Sequence, residues 1–257
     1  MNVSYVTTSW DDGHPEDIHI IELLERYKLR GTFYVPTDQS SIRMSNEALR
    51  RLAYTQEIGA HTIHHEHLVG LSDDRLWREV SGSKEILEQI VGCPVVMFCY
   101  PYGQYDESVR EIVKRAGFRG ARTTRTFVVN DRFDALEMGT TLHVFPHPYL
   151  PARLDWQTLR YTLLRNRYLA INIYHLRLSI GAFVNWVELA KRIFDYVLNN
   201  GGVWHLWGHS WEIDHFRMWN QLEQVLEYIS GRREVLYLTN GELIAFLKKQ
   251  NEDHCPE

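Results

Sequence analysis

Apolar positions along the chain follow two alternating periods. Residues 3–10 are rich in β-branched and aromatic types and read as a strand ending at Asp11-Asp12-Gly13. Ile18, Ile21, Leu24 and Tyr27 then recur at helical spacing up to Gly31. Residues 32–35 predict a second strand closed by Pro36, and a helix from Ser45 or Asn46 carries Leu49 and Leu52. The run Glu57-Ile58-Gly59-Ala60-His61 comes next. Ser72 is placed to cap a helix through Leu76, Val80, Ile86, Leu87 and Ile90. The series continues with a strand at 95–98, a helix from Ser108 to Ala116 and a short strand closing at Ala121-Arg122-Thr123. Further on come a helix over 184–198, a strand at 203–207, a helix at 219–229, a strand at 235–238 and a helix from about Asn240.

Repeated strand–helix units imply an α/β fold with a parallel sheet. At 257 residues, their number favours a barrel over an open sheet, in one domain spanning 1–257. One irregular stretch, about 125–182, reads as an insertion on that barrel. It holds His143, His147 and a set of aromatic and basic residues that includes Arg160, Arg165, Tyr161 and Tyr168.

Composition narrows the function. The net charge of −5 offers no basic field for nucleic acid. No apolar stretch is long enough for a transmembrane segment and no signal peptide is visible, so a cytoplasmic protein is expected. Three widely spaced cysteines, Cys93, Cys99 and Cys255, make a disulfide framework an unattractive reading. The supply of Trp and Tyr suits sugar rings and protein cores alike.

In parallel α/β folds the chemistry gathers at the carboxyl ends of the strands. Those ends carry Asp11-Asp12, His61 with His65, Tyr100-Pro101-Tyr102, Arg122 and His209. Two adjacent carboxylates leaving a strand point in different directions, so one can ligate a metal while the other faces a reaction. An i, i+4 histidine pair on one helical turn can share an ion, and one Asp with two His leaves coordination positions open. Neighbouring His64 and His67 read as solvent-facing.

The succession Ser9-Trp10-Asp11-Asp12-Gly13, His61-Thr-Ile-His-His65 and Phe98-Cys-Tyr-Pro-Tyr-Gly103 resembles the polysaccharide deacetylases of carbohydrate esterase family 4, over about residues 5–122. The resemblance implies a deformed (β/α)7-type barrel and a Zn²⁺-type ion, with Co²⁺, Ni²⁺ or Mn²⁺ able to fill the same site. It makes Asp12, His61 and His65 the metal ligands and Asp11 the general base. It gives the Tyr102 backbone N–H to an oxyanion and makes His209 the general acid. His205 lies on the same strand face as His209 and is its rival; His209 is preferred because it sits at the strand's exit.

The pattern departs from the family at Cys99, where members often carry an arginine that orients the catalytic aspartate. Arg122, at the end of the next strand, is expected to supply that charge. A nucleophilic role for Cys99 has no Cys-His-Asn or Cys-His-Asp pattern behind it. The carboxylate partner of His209 is left open among Asp131, Asp134 and Glu212. His143 with His147 is considered as a second metal site, a loop role being preferred. Trp207, Trp211 and Trp219 are candidates for a pocket wall.

The reaction class expected is hydrolysis of an amide C–N bond, foremost N-deacetylation of a sugar or sugar precursor. Deformylation of an N-formyl sugar and opening of a cyclic amide share the same chemistry. A catalytically inactive carbohydrate-binding protein is the alternative of a different class.

Overall fold

The computed structural model describes residues 3–38, 42–146, 176 and 185–253. A parallel sheet holds eight strands among these residues: β1 (Ser4–Asp11), β2 (Gly31–Val35), β3 (Glu57–Ala60), β4 (Met97–Cys99), β5 (Gly120–Arg122), β6 (Leu142–His143), β7 (Gly202–Gly208) and β8 (Val235–Tyr237). The helices are α1 (Asp17–Arg26), α2 (Asn46–Leu52), α3 (Asp73–Val91), α4 (Glu107–Arg115), α5 (Trp186–Asn200), α6 (Ser210–His215), α7 (Trp219–Ile229) and α8 (Asn240–Asp253). The strand order β5-β4-β3-β2-β1-β7-β6 curls into the deformed (β/α)7-type barrel, in one domain.

β1 lies at the centre, which explains why all eight of its residues are buried. One edge is shared, β8 pairing residues 4–6 and β2 pairing residues 8–11, while β7 runs along the other edge. Its alternation places Val6 and Trp10 in the main core between wall and helices. The opposite face points into the barrel and changes character as it rises. Tyr5 joins an apolar floor with Met97, Val203, Leu243 and Ile244. Thr7 donates to Asn240 Oδ1 at 2.6 Å, and Ser9 donates to His205 Nε2 at 2.8 Å. Asp11, at the top, meets a buried arginine.

The wall closes by an unusual device. The segment from Met138 to Val144 begins beside β5, where Met138 accepts from Thr123 N–H and donates to Ala121 O. It then crosses to β7, where Thr141 and Val144 donate to His205 O and Trp207 O and β6 forms its short ladder. Within the stretch expected to be irregular, residues 138–144 therefore run along the wall. Residues 147–175 and 177–184, including His147, Arg160, Tyr161, Arg165 and Tyr168, lie outside the described residues.

The expected helical turn over His61–His65 does not form. The chain leaves β3 as a loop in which Thr62 (φ 65°) and His65 (φ 54°) are left-handed. Side chains substitute for the missing helical bonds: Glu79 of α3 accepts from the Ile63 and His64 amides, and Thr62 Oγ1 accepts from the His65 amide.

Candidate metal and acid–base site

Each site residue is aimed by the way its strand ends. Asp11 is the last residue of β1, and the chain then turns sharply through Asp12 (φ 76°) and Gly13 (φ 58°). A Cβ at Gly13 would fall within 2.9 Å of the Val35 side chain, so both the space and the conformation call for glycine. The turn leaves Asp11 buried and Asp12 partly exposed. Left-handed Asp12, Thr62, His65 and Tyr102 are four of the seven non-glycine residues with positive φ among the described residues. Each such residue costs of order 1–3 kcal/mol, and clustering of that strain marks a site whose geometry is imposed by its surroundings.

The first group is Asp12, His61 and His65. Asp12 Oδ1 lies 4.0 Å from His61 Nε2 and 3.7 Å from His65 Nε2, with the imidazole centroids 4.5 Å apart. His61 Nδ1 donates to Cys99 O at 2.8 Å, which leaves Nε2 as the free lone pair facing Asp12. Burial drives the His61 pKa down to about 4 against the pull of nearby carboxylates, so the ring is neutral near pH 7. Two imidazoles and one carboxylate, each offering an atom within 4.8 Å of the others, are a donor set suited to a divalent ion of the zinc type.

The second group surrounds Asp11. Arg122, fully buried on β5, donates through Nη2 to Asp11 Oδ1. Its guanidinium lies 4.7 Å from the Trp207 ring centroid and 5.3 Å from that of Tyr34. Burial alone would raise the Asp11 pKa, but Arg122, His61 and His209 overcome it and hold the carboxyl at about 2. Cys99 is buried, its Sγ 3.9 Å from Asp11 Oδ2, and burial lifts the thiol well above its ordinary range. Cys99 and Arg122 are register partners across the β4–β5 pairing.

The third group is His209, which follows β7. Its Nε2 lies 3.9 Å from Asp11 Oδ2 and 4.0 Å from Asp12 Oδ2, while Nδ1 donates to Glu212 Oε2 at 2.6 Å. Glu212 is thus the carboxylate at His209, whereas Asp134 pairs with Arg110 instead. The same Glu212 oxygen accepts from His143 Nε2 at 3.1 Å, a partner that sequence reasoning missed. His143 stacks on Trp207 at 4.0 Å. Burial opposes a charged His209, yet Glu212, Asp11 and Asp12 outweigh it and the pKa is raised. Glu212 is lowered to about 2, burial being overcome by its two histidine donors. The rival, His205, is sealed between Ser9 and Gly139 O, and burial lowers its pKa to about 3.

Tyr102 sits left-handed in a single 3₁₀ turn, Pro101–Gly103, whose first bonded amide is that of Gly103. The Tyr102 N–H therefore precedes the turn's hydrogen bonds. Tyr102 is 52% exposed, and its ring stacks on His67 and meets His65 edge-on. Trp211 is 42% exposed and donates from Nε1 to Asp12 Oδ2 at 3.0 Å. Trp219 lies elsewhere, with His19 and Asp214. His64 and His67 are exposed, as expected, and His64 also binds Glu79 at 2.6 Å.

One buried acid near the site had no sequence signal. Asp17, at the start of α1, is fully buried, and neither carboxylate oxygen has a hydrogen-bond partner among the described residues. Burial raises its pKa to about 8, with Asp11 and Asp12 adding to the shift. Ser210 opposes it without a hydrogen bond of full geometry.

Comparison with known proteins bears on the fold and on family likeness. Residues 1–121 match the family model described as polysaccharide deacetylase. A peptidoglycan-N-acetylglucosamine deacetylase of Bacillus cereus is 27% identical over 123 residues, covering 46% of this chain and 55% of that protein. The chain spans about half the length of the curated relatives it matches. Among solved structures, a candidate polysaccharide deacetylase from Mycobacterium smegmatis superposes with TM-score 0.64 at 15% identity, covering 97% of this chain and 92% of the other. A family 4 acetyl xylan esterase from Clostridium thermocellum, solved with a cobalt ion, gives 0.56 at 14% identity, with 95% and 91% covered. At these identities the structures establish the shared fold. No helix among the described residues is long and apolar enough to cross a membrane.

Proposed function

We propose, for a chain whose residues 1–121 match the polysaccharide deacetylase family model, metal-assisted hydrolysis of an N-acyl amide on a sugar, foremost an N-acetyl group. The observation that carries this reading is the meeting of the Asp12–His61–His65 donor set with Asp11 and His209, all at the carboxyl ends of parallel strands.

Asp12, His61 and His65 hold the ion in this reading. When bound, a divalent cation polarises an acyl carbonyl and acidifies water, which lets a carboxylate as weakly basic as Asp11 serve as proton acceptor. Arg122 keeps Asp11 ionised and fixes Oδ1, leaving Oδ2 on the side of His209. His209 presents Nε2 to the same space and hands a proton to the leaving amine. Its Nδ1–H, held by Glu212, fixes the ring and stabilises its charged form. The Tyr102 N–H is the donor for a developing oxyanion. The exposed rings of Tyr102 and Trp211 flank the donor set and suit the faces of a sugar.

The test is metal content per chain in gently purified protein, for wild type beside Asp12→Asn and His65→Ala. It is followed by assays for acetate and formate release from N-acyl sugars. About one ion in wild type, sharply reduced in both variants, together with acetate release, is the expected outcome. No ion after addition of Zn²⁺ or Co²⁺ overturns the reading in favour of a carbohydrate-binding role.

A further inference from the structure

We propose that Trp211 is a positioning residue for the ligand carboxylate of Asp12; the inference rests on the metal-hydrolase reading above. The two oxygens of Asp12 have different surroundings. Oδ1 faces His61 and His65 at 4.0 and 3.7 Å, whereas Oδ2 accepts from the Trp211 indole at 3.0 Å and lies 4.0 Å from His209 Nε2. No other hydrogen bond to the Asp12 side chain occurs among the described residues. The residue projects from a left-handed turn with its side chain 28% exposed, so packing alone does not fix its rotation. A single N–H on Oδ2 sets that rotation and turns Oδ1 toward the two imidazoles. Hydrogen bonds to the outer atom of a ligand commonly govern how well the inner atom binds.

Trp211 remains 42% exposed, and its ring meets that of His209 at 5.3 Å. Its neighbour in α6, Glu212, holds the opposite side of the site through His209 Nδ1. Two consecutive residues of one short helix thus grip the ligand carboxylate and the acid histidine, fixing the spacing between them.

The experiment is Zn²⁺ affinity by chelator competition for wild type, Trp211→Phe and Trp211→Leu, with Co²⁺ absorption spectra as a second readout. Both variants lack the N–H, and Phe keeps an aromatic ring. Affinity about tenfold weaker in both, with altered Co²⁺ bands and unchanged melting of the metal-free protein, is expected. Affinity within twofold of wild type in Trp211→Phe overturns the inference while leaving the metal site standing. Loss in the Leu variant alone assigns the effect to bulk and overturns it equally. A wild type that binds no Zn²⁺ overturns both this inference and the reading beneath it.

Discussion

Arg122 reaches Asp11 from the strand next to β4, at the level of its register partner Cys99. A small residue at 99 leaves room inside the barrel, and the guanidinium from the adjacent strand fills it between Trp207 and Tyr34. Charge can thus be delivered to one carboxylate from either of two neighbouring strands, provided the other contributes a small side chain.

Arg122→Ala should therefore be severe. It leaves the buried Asp11 without its cation, a change of about 3–5 kcal/mol for broken buried pairs, read by urea unfolding. Cys99→Arg in the same background should recover part of the loss. An Arg122→Ala protein as stable as wild type would show that Asp11 does not depend on this pair.

Cys99→Ala alone should retain most turnover, because the buried thiol stays protonated and only a thiolate attacks. Asp11→Asn should keep bound Zn²⁺ and lose turnover by about 10²–10⁴-fold, the usual worth of a proton-transfer group. Abolished activity in the Cys99 variant with a normal Asp11 variant would reverse these assignments.

Glu212→Gln should move the alkaline limb of the kcat/KM profile to lower pH. The carboxylate helps raise the pKa of His209, and a general acid works only below its pKa. Lowering that pKa removes activity first at the alkaline end. An unmoved limb would mean that another group supplies the proton.

Asp17 makes a prediction about stability rather than turnover. Its pKa rises from an ordinary carboxylate value to about 8 on folding, so its contribution is complete below about pH 4. That contribution is lost as pH rises toward 8, at up to about 1.4 kcal/mol per pH unit. Asp17→Asn does not titrate, so its stability should gain on wild type between pH 4 and 8 and run parallel above. Parallel curves throughout, in urea unfolding at several pH values, would show that Asp17 titrates alike in both states.

Much of this was legible in the sequence because strand ends announce themselves. Asp11-Asp12-Gly13 follows a β-rich run, and Arg122 closes a short strand after a helix ended by Gly117. What lay hidden depends on register and on backbone forced by the fold. Thr62 and His65 are not glycines and nothing beside them marks a left-handed conformation, so the His61–His65 spacing read as a helical turn. The choice of Glu212 over Asp131 and Asp134 depends on where α6 starts. His143 required knowing that β6 pairs with β7 opposite Trp207. Asp17 stands in the first turn of a helix, where an acid is ordinary, and nothing in its neighbours advertises burial.

The segment from Met138 to Val144 bonds first to one side of the gap in the wall and then to the other, so few ladder bonds span the gap itself. Near its upper end is His143, the second donor on Glu212. The contact of His209 with Glu212 thus neighbours this seam, whereas Asp12, His61 and His65 follow β1 and β3 on the continuous arc of the sheet.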